Sequence, residues 1–145
     1  MQRRLVFKTL IASSLALLGA PQATAQAQTA RAARVVYHFV DADKVAFALG
    51  NMRNHHAGGP DGLKLAAVVH GPALAVFRGD TDNERLKQAF AAALQSGDGF
   101  FACANTLAAH QWTLADLLPG FALADKGGVV KLADLQAEGF VYLRP

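Results

Sequence analysis

The sequence predicts an α/β fold in three layers, α/β/α, built on a mostly parallel sheet of about five strands. Three observations carry that expectation. Segments 35–40 and 63–69 are nearly unbroken apolar runs rich in β-branched residues, the mark of strands buried on both faces. Strand signals alternate with helical ones along the chain, the pattern of parallel strands joined by helical crossovers. Glycine, proline and polar clusters punctuate the units.

The first segment reads as an export signal. Arg3, Arg4 and Lys8 accompany an apolar stretch from Leu10 to Ala20, and Ala23-Thr24-Ala25 offers small residues at the positions a signal peptidase reads. Residues 1–25 are therefore expected to be a signal peptide cleaved before Gln26, with the periplasm as destination. Export would use the Sec route, or the twin-arginine route that Arg3-Arg4 suggests. The apolar stretch falls short of the roughly 20 residues that span a bilayer, so no stable membrane anchor is expected. Residues 26–33, rich in Ala and Gln, read as a flexible N-terminal tether, and 34–145 as a single α/β domain.

Charge excludes one class of partner. Of the 14 basic residues three lie in the leader, whereas all 11 acidic residues follow it, which leaves 11 of each sign in the mature chain. Without a basic surplus there is no footprint for nucleic acid.

From residue 34 the elements follow in order. Val35–Val40 is the first strand. Asp41 or Asp43 is placed to cap the next helix, where Val45, Leu49 and Met52 recur at helical spacing and Gly58-Gly59-Pro60 ends the unit. The second strand, Leu63–Val69, stops at His70-Gly71-Pro72. Thr81-Asp82-Asn83-Glu84 matches a capping box before a helix carrying Leu86, Phe90 and Ala93. Gly97–Gly99 turns into a third strand that ends at Cys103. Thr113–Asp116 is a second capping box, opening a short helix that Pro119-Gly120 stops. Phe121–Leu123 is a short fourth strand. Val130, Ala133 and Leu135 mark a last helix, closed by Gly139 before the strand Phe140–Leu143. Trp112 and Phe121 are read as core, with a subunit contact as the alternative.

Cys103 is the only cysteine. It stands where a buried strand gives way to a helix N-terminus, whose partial positive charge favours the thiolate. In a parallel sheet the ligand crevice lies beyond the carboxyl ends of the strands, and that rule sets Asp41, His70 and Cys103 along one edge. The blander reading is a buried cysteine acting as a small hydrophobe. Neither a resident metal nor a cofactor is expected. No histidine pair has the i, i+4 ligand spacing, so copper or zinc would need Cys103, His70 and His110 brought together by the fold. His55-His56 is placed on the solvated end of the first helix. The nucleotide fingerprints G-x-G-x-x-G and G-x-x-x-x-G-K-[ST] are missing, as is the Gly-x-Ser-x-Gly elbow. Gly127-Gly128 could present amides to an anion, or simply make a turn.

The stretches Phe100–Leu107, Val69-His70-Gly71 and Gly139–Pro145, with Leu49–His55 and Asp116–Pro119, resemble the DsrE/DsrF-like family in its small exported single-domain members. The resemblance covers about Arg34 to Pro145. It implies a flavodoxin-like sandwich assembled into homo-oligomers, commonly trimers or hexamers. It also implies a sulfur carrier of sulfurtransferase type, with Cys103 accepting sulfane sulfur as a persulfide from a donor protein or passing it to an acceptor. His70 and Asn105 match recurring positions of the subgroup, and with Asp41 they complete the expected pocket. The alternative is a non-catalytic oligomeric binding module in which Cys103 is structural.

Overall fold

Five strands form one sheet in the order β4-β3-β2-β1-β5, and every strand pairing is parallel. They are β1 (Arg34–Phe39), β2 (Lys64–Val69), β3 (Gly99–Cys103), β4 (Phe121–Ala124) and β5 (Val141–Leu143). The helices are α1 (Val45–Gly58), α2 (Pro72–Ala75), α3 (Glu84–Gln95), α4 (Ala104–Ala109) and α5 (Gly128–Ala137). Short 3-10 turns occupy Ala42–Lys44 and Leu114–Asp116. This computed structural model describes residues 34–145, so the expected signal peptide and tether lie outside the described residues. No helix among the described residues is long and apolar enough to cross a membrane.

The period of two along each strand divides the core. Val35, Tyr37 and Phe39 of β1, Leu65, Ala67 and Val69 of β2, and Phe100 and Ala102 of β3 face α1, α2 and α3. Phe77, Phe90, Phe100 and Phe121 form the aromatic centre of that layer, and every pair of these rings has centroids 4.8–6.4 Å apart. Phe121 is thus core, and Trp112 packs against the same cluster while half-exposed. On the opposite face Val36, Ala66 and Val68 meet Leu132 and Leu135 of α5. Among the described residues a single helix, α5, covers this second face. Leu123, Val129, Val130, Val141, Tyr142 and Leu143 around it stay exposed.

The result is a three-layer α/β/α sandwich of flavodoxin type. Its strand order departs from the 2-1-3-4-5 of flavodoxin in one respect: β5, not β2, takes the edge beside β1. The chain therefore steps steadily from β1 to β4, and α5 carries it back across the sheet.

Local starts and stops differ from the sequence reading in three places. Neither Asp41 nor Asp43 caps a helix: α1 grows directly out of the Ala42–Lys44 turn, and no side chain caps that start. The cap of α3 is Asn83, whose Oδ1 accepts the Leu86 N–H at 3.1 Å, and Thr81 instead accepts from Asn83 N–H. In α5 the stripe that meets the sheet is Gly128, Leu132 and Leu135, at i, i+4 and i+7, so Val130 and Ala133 face away and are exposed. The Thr113–Asp116 capping box does form, on a 3-10 turn: Asp116 Oδ2 accepts from Thr113 N at 2.8 Å and from its hydroxyl at 3.0 Å.

Register positions the functional end. Phe39 is aligned with Val69, and Val69 with Ala102, so the next residues, Val40, His70 and Cys103, stand side by side at the carboxyl edge of the sheet.

Candidate functional site

Cys103 is the last residue of β3 and the N-cap residue of α4, with extended backbone (φ −67°, ψ 119°). Four groups close around its sulfur. Gly128, the first residue of α5, donates its N–H to Sγ at 3.1 Å. The amides of Asn105 and Thr106 and the Thr106 hydroxyl also favour the charged form. Burial pushes the thiol pKa up, but these hydrogen bonds outweigh it and leave the pKa lowered. The residue is 4% exposed, so its sulfur sits at the base of a depression rather than on a rim.

That depression is an open cleft of about 400 Å³, lined by His70, Cys103, Asn105, Thr106, His110 and Lys126 together with the Gly127–Val130 turn. Lys126 is its one cationic lysine or arginine, His70 and His110 line it as well, and no carboxylate is among the lining residues. Two glycines make it. At Gly127 (φ 96°) a Cβ would come within 2.6 Å of Asn105 Nδ2, and at Gly128 it would touch Cys103, His70 and Val68 at 3.4 Å. The Gly127-Gly128 pair is therefore more than a turn, because it brings a helix N-terminus onto the sulfur.

His70 and Asn105 thus share the Cys103 cleft. Asp41 does not: it is held at the β1–β5 side in an ion pair with Arg144, 3.0 Å apart. Beside that pair lie residues the sequence reading passed over. His38 and His70 stack with ring centroids 4.7 Å apart and planes within 9°, and their Nε2 atoms are hydrogen-bonded to each other. The Nδ1 of His38 lies 2.7 Å from the Tyr142 hydroxyl. Burial, then His70 and then Arg144 push the His38 pKa down to about 4, although Asp41 pulls it up. Burial and then Arg144 lower His70. Both rings are therefore neutral at pH 7, and one donates to the other. A chain of hydrogen bonds runs from the Cys103 cleft through His70 and His38 to Tyr142. The signal in the sequence was the period of two, which puts His38 on the face of Val36 and His70 on the face of Val68.

His110 lines the Cys103 cleft and stacks on Trp112 at 4.3 Å, while Arg78 lies over the same indole. Among the described residues no group of His, Cys, Asp or Glu has the arrangement to hold a metal ion. His55 and His56 are not simply solvated. His55 Nδ1 is 3.0 Å from the Tyr37 hydroxyl, and His56 Nε2 is 2.6 Å from Asp98 Oδ1.

These features define a class: a flavodoxin-type α/β/α domain whose one cysteine sits at the carboxyl end of a central strand, against a helix N-terminus. Among solved structures the chain is similar to a protein of unknown function, MTH1491, from Methanobacterium thermoautotrophicum. The two are 30% identical with a TM-score of 0.69, over 77% of this chain and 98% of that one. The chain belongs to the same family as that archaeal protein. No family model matches it, and no curated protein does.

Proposed function

We propose that this is an exported DsrE-like sulfur carrier in which Cys103 holds sulfane sulfur as a persulfide. One observation carries the reading: the sulfur is ringed by N–H and O–H donors, whereas a cysteine serving only as packing needs apolar neighbours. The charge of Lys126 supports it further. Lys126 suits an anionic sulfur donor, and His70 and Asn105 shape its approach.

In the proposed step the Cys103 thiolate attacks a terminal sulfur of a polysulfide. One S–S bond forms and one breaks. The leaving fragment departs with the bonding pair as a polysulfide one sulfur shorter, and Cys103 keeps a persulfide anion. No external oxidant or reductant is consumed. The exposed apolar side chains of α5, β4 and β5 support assembly into a homo-oligomer, for which the DsrE-like resemblance implies a trimer or hexamer. A donor or acceptor protein would then meet the open cleft.

Intact-mass measurement of the folded protein after exposure to polysulfide tests the reading. A gain of one sulfur mass is expected, absent from Cys103→Ser. No gain, with the fold intact, refutes it.

The 4% exposure of Cys103 favours a second reading, a non-catalytic oligomeric module. That reading requires Cys103 to resist alkylation until the protein unfolds.

A further inference from the structure

A hydrogen-bonded chain leads away from the Cys103 cleft, and attack on a polysulfide leaves it idle. His70 and Cys103 are neighbours at the sheet edge: a Cβ on Gly128 would lie 3.4 Å from the Cβ atom of each. His70 Nε2 is bonded to His38 Nε2, and His38 Nδ1 lies 2.7 Å from the Tyr142 hydroxyl. His70 Nδ1 has no partner among the described residues and is not an enclosed atom, and His70 lines the cleft. That nitrogen is the end of the chain open to the cleft. Tyr142, 38% exposed and outside the cleft lining, is the end open to solvent.

Neutral imidazole donates from one nitrogen and accepts at the other, so the chain has two self-consistent settings. In the first, Tyr142 donates to His38 Nδ1, His38 Nε2 donates to His70 Nε2, and His70 carries its proton on Nδ1. In the second, each proton has moved one place along. The change releases a proton at His70 Nδ1 and takes one up at Tyr142. No ring becomes charged, which suits histidines whose burial disfavours the imidazolium.

A proton delivered beside Cys103 helps only a strongly basic leaving group. A shortened polysulfide leaves as a stable anion, whereas an alkyl thiolate, as basic as that of cysteine, gains from protonation. Ala109, Val129 and Val130 give the cleft apolar walls for an organic body, and its volume of about 400 Å³ is that of a small-molecule site. Resting on the carrier reading of Cys103, we propose that the cleft takes an organic hydropersulfide and that His70 protonates its leaving thiol, fed by His38 and Tyr142. The Cys103 thiolate attacks the outer sulfur of R–S–SH, and the old S–S bond breaks with its electron pair on R–S. That sulfur takes the His70 Nδ1 proton and departs as R–SH. Cys103 keeps S–SH, which sheds its proton to water once the thiol has gone. The bound donor blocks the cleft, so the replacement proton enters through Tyr142. No oxidant or reductant is consumed. His70 touches the donor, while His38 and Tyr142 are positioning residues that act through it.

The test is the rate at which Cys103 gains sulfur, followed by intact mass, from an alkyl and from a nitroaryl hydropersulfide. Their leaving thiolates differ strongly in basicity. Tyr142→Phe and His38→Gln each break the chain beyond His70. Each is expected to slow the alkyl donor about tenfold and the nitroaryl donor less than about threefold. A purely structural role would slow both donors alike, and proton delivery by Lys126 or His110 would leave both rates unchanged. Either result overturns the relay, and Tyr142→Phe decides alone if His38→Gln does not fold. Native protein that gains sulfur from polysulfide but from neither hydropersulfide overturns this proposal and leaves the carrier reading standing. Native protein that gains sulfur from none of the three overturns both.

Discussion

Gly71 donates its backbone N–H to Thr106 Oγ1 at 3.0 Å, tying the loop after β2 to the helix after β3. That acceptor role leaves the hydroxyl proton of Thr106 free to point at Cys103, on which it acts to favour the thiolate. Gly71 adopts φ 56°, a left-handed conformation that glycine enters without strain. The Val69-His70-Gly71 segment and the Cys103–Thr106 turn therefore work as one unit, with the sulfur held by a donor that another loop orients.

Replacing Thr106 with Val removes that donor at nearly constant volume. The Cys103 pKa should rise. Alkylation of the folded protein by iodoacetamide at pH 7 should slow on the order of tenfold, the scale of one charge-assisted hydrogen bond. An unchanged rate-versus-pH profile in a folded Thr106→Val protein would remove the hydroxyl from the account.

Gly127→Ala strains two things at once. At φ 96° a side chain is unfavourable whatever the space, and the new Cβ would meet Asn105 Nδ2 at 2.6 Å. A loss of about 1–3 kcal/mol in urea unfolding is expected, with Asn105 displaced from the cleft. Gly128→Ala, whose Cβ meets its neighbours at 3.4 Å with ordinary φ, should cost clearly less. Equal losses would contradict this reading of the turn.

What was legible in the sequence followed from local pattern. The apolar runs of β1 and β2 needed no tertiary knowledge, and the strand-to-helix change at Cys103 was written in Phe100–Thr106. Pairings between distant segments were not legible. His38 meets His70 only because β1 and β2 align in register, and it meets Tyr142 only because β5 returns to the edge beside β1. Asp98 looked like part of a Gly97–Gly99 turn until His56, 42 residues earlier in the chain, came to lie against it. Asp41 follows β1 at the same edge, but β2 stands between β1 and β3, and Asp41 pairs with Arg144 instead of lining the Cys103 cleft.

Arg144→Gln separates charge from stability. The ion pair with Asp41 is half-exposed, and its loss should cost less than about 1 kcal/mol. Arg144 also helps to depress both His38 and His70. Removing its charge should raise both histidine titration midpoints, read from ring proton shifts. Midpoints that stay put would mean that burial and the neighbouring ring account for the depression.

The paired histidines should also make the fold sensitive to mild acid. The His38 pKa falls from 6.5 in the unfolded chain to about 4 in the folded one, and His70 moves in the same direction. Between those values the unfolded chain binds more protons, so stability rises with pH through this window and falls as pH drops. The contribution is full above pH 6.5 and is lost as pH approaches 4, by about 1–2 kcal/mol once solvent screening of half-buried rings is allowed for. Charging both rings also removes the acceptor that their Nε2–Nε2 hydrogen bond requires. Urea midpoints measured from pH 7.5 to pH 4 should therefore fall more steeply in the native protein than in His38→Gln, which has one titrating ring fewer. Parallel curves for the two proteins would show that other groups set the acid limit.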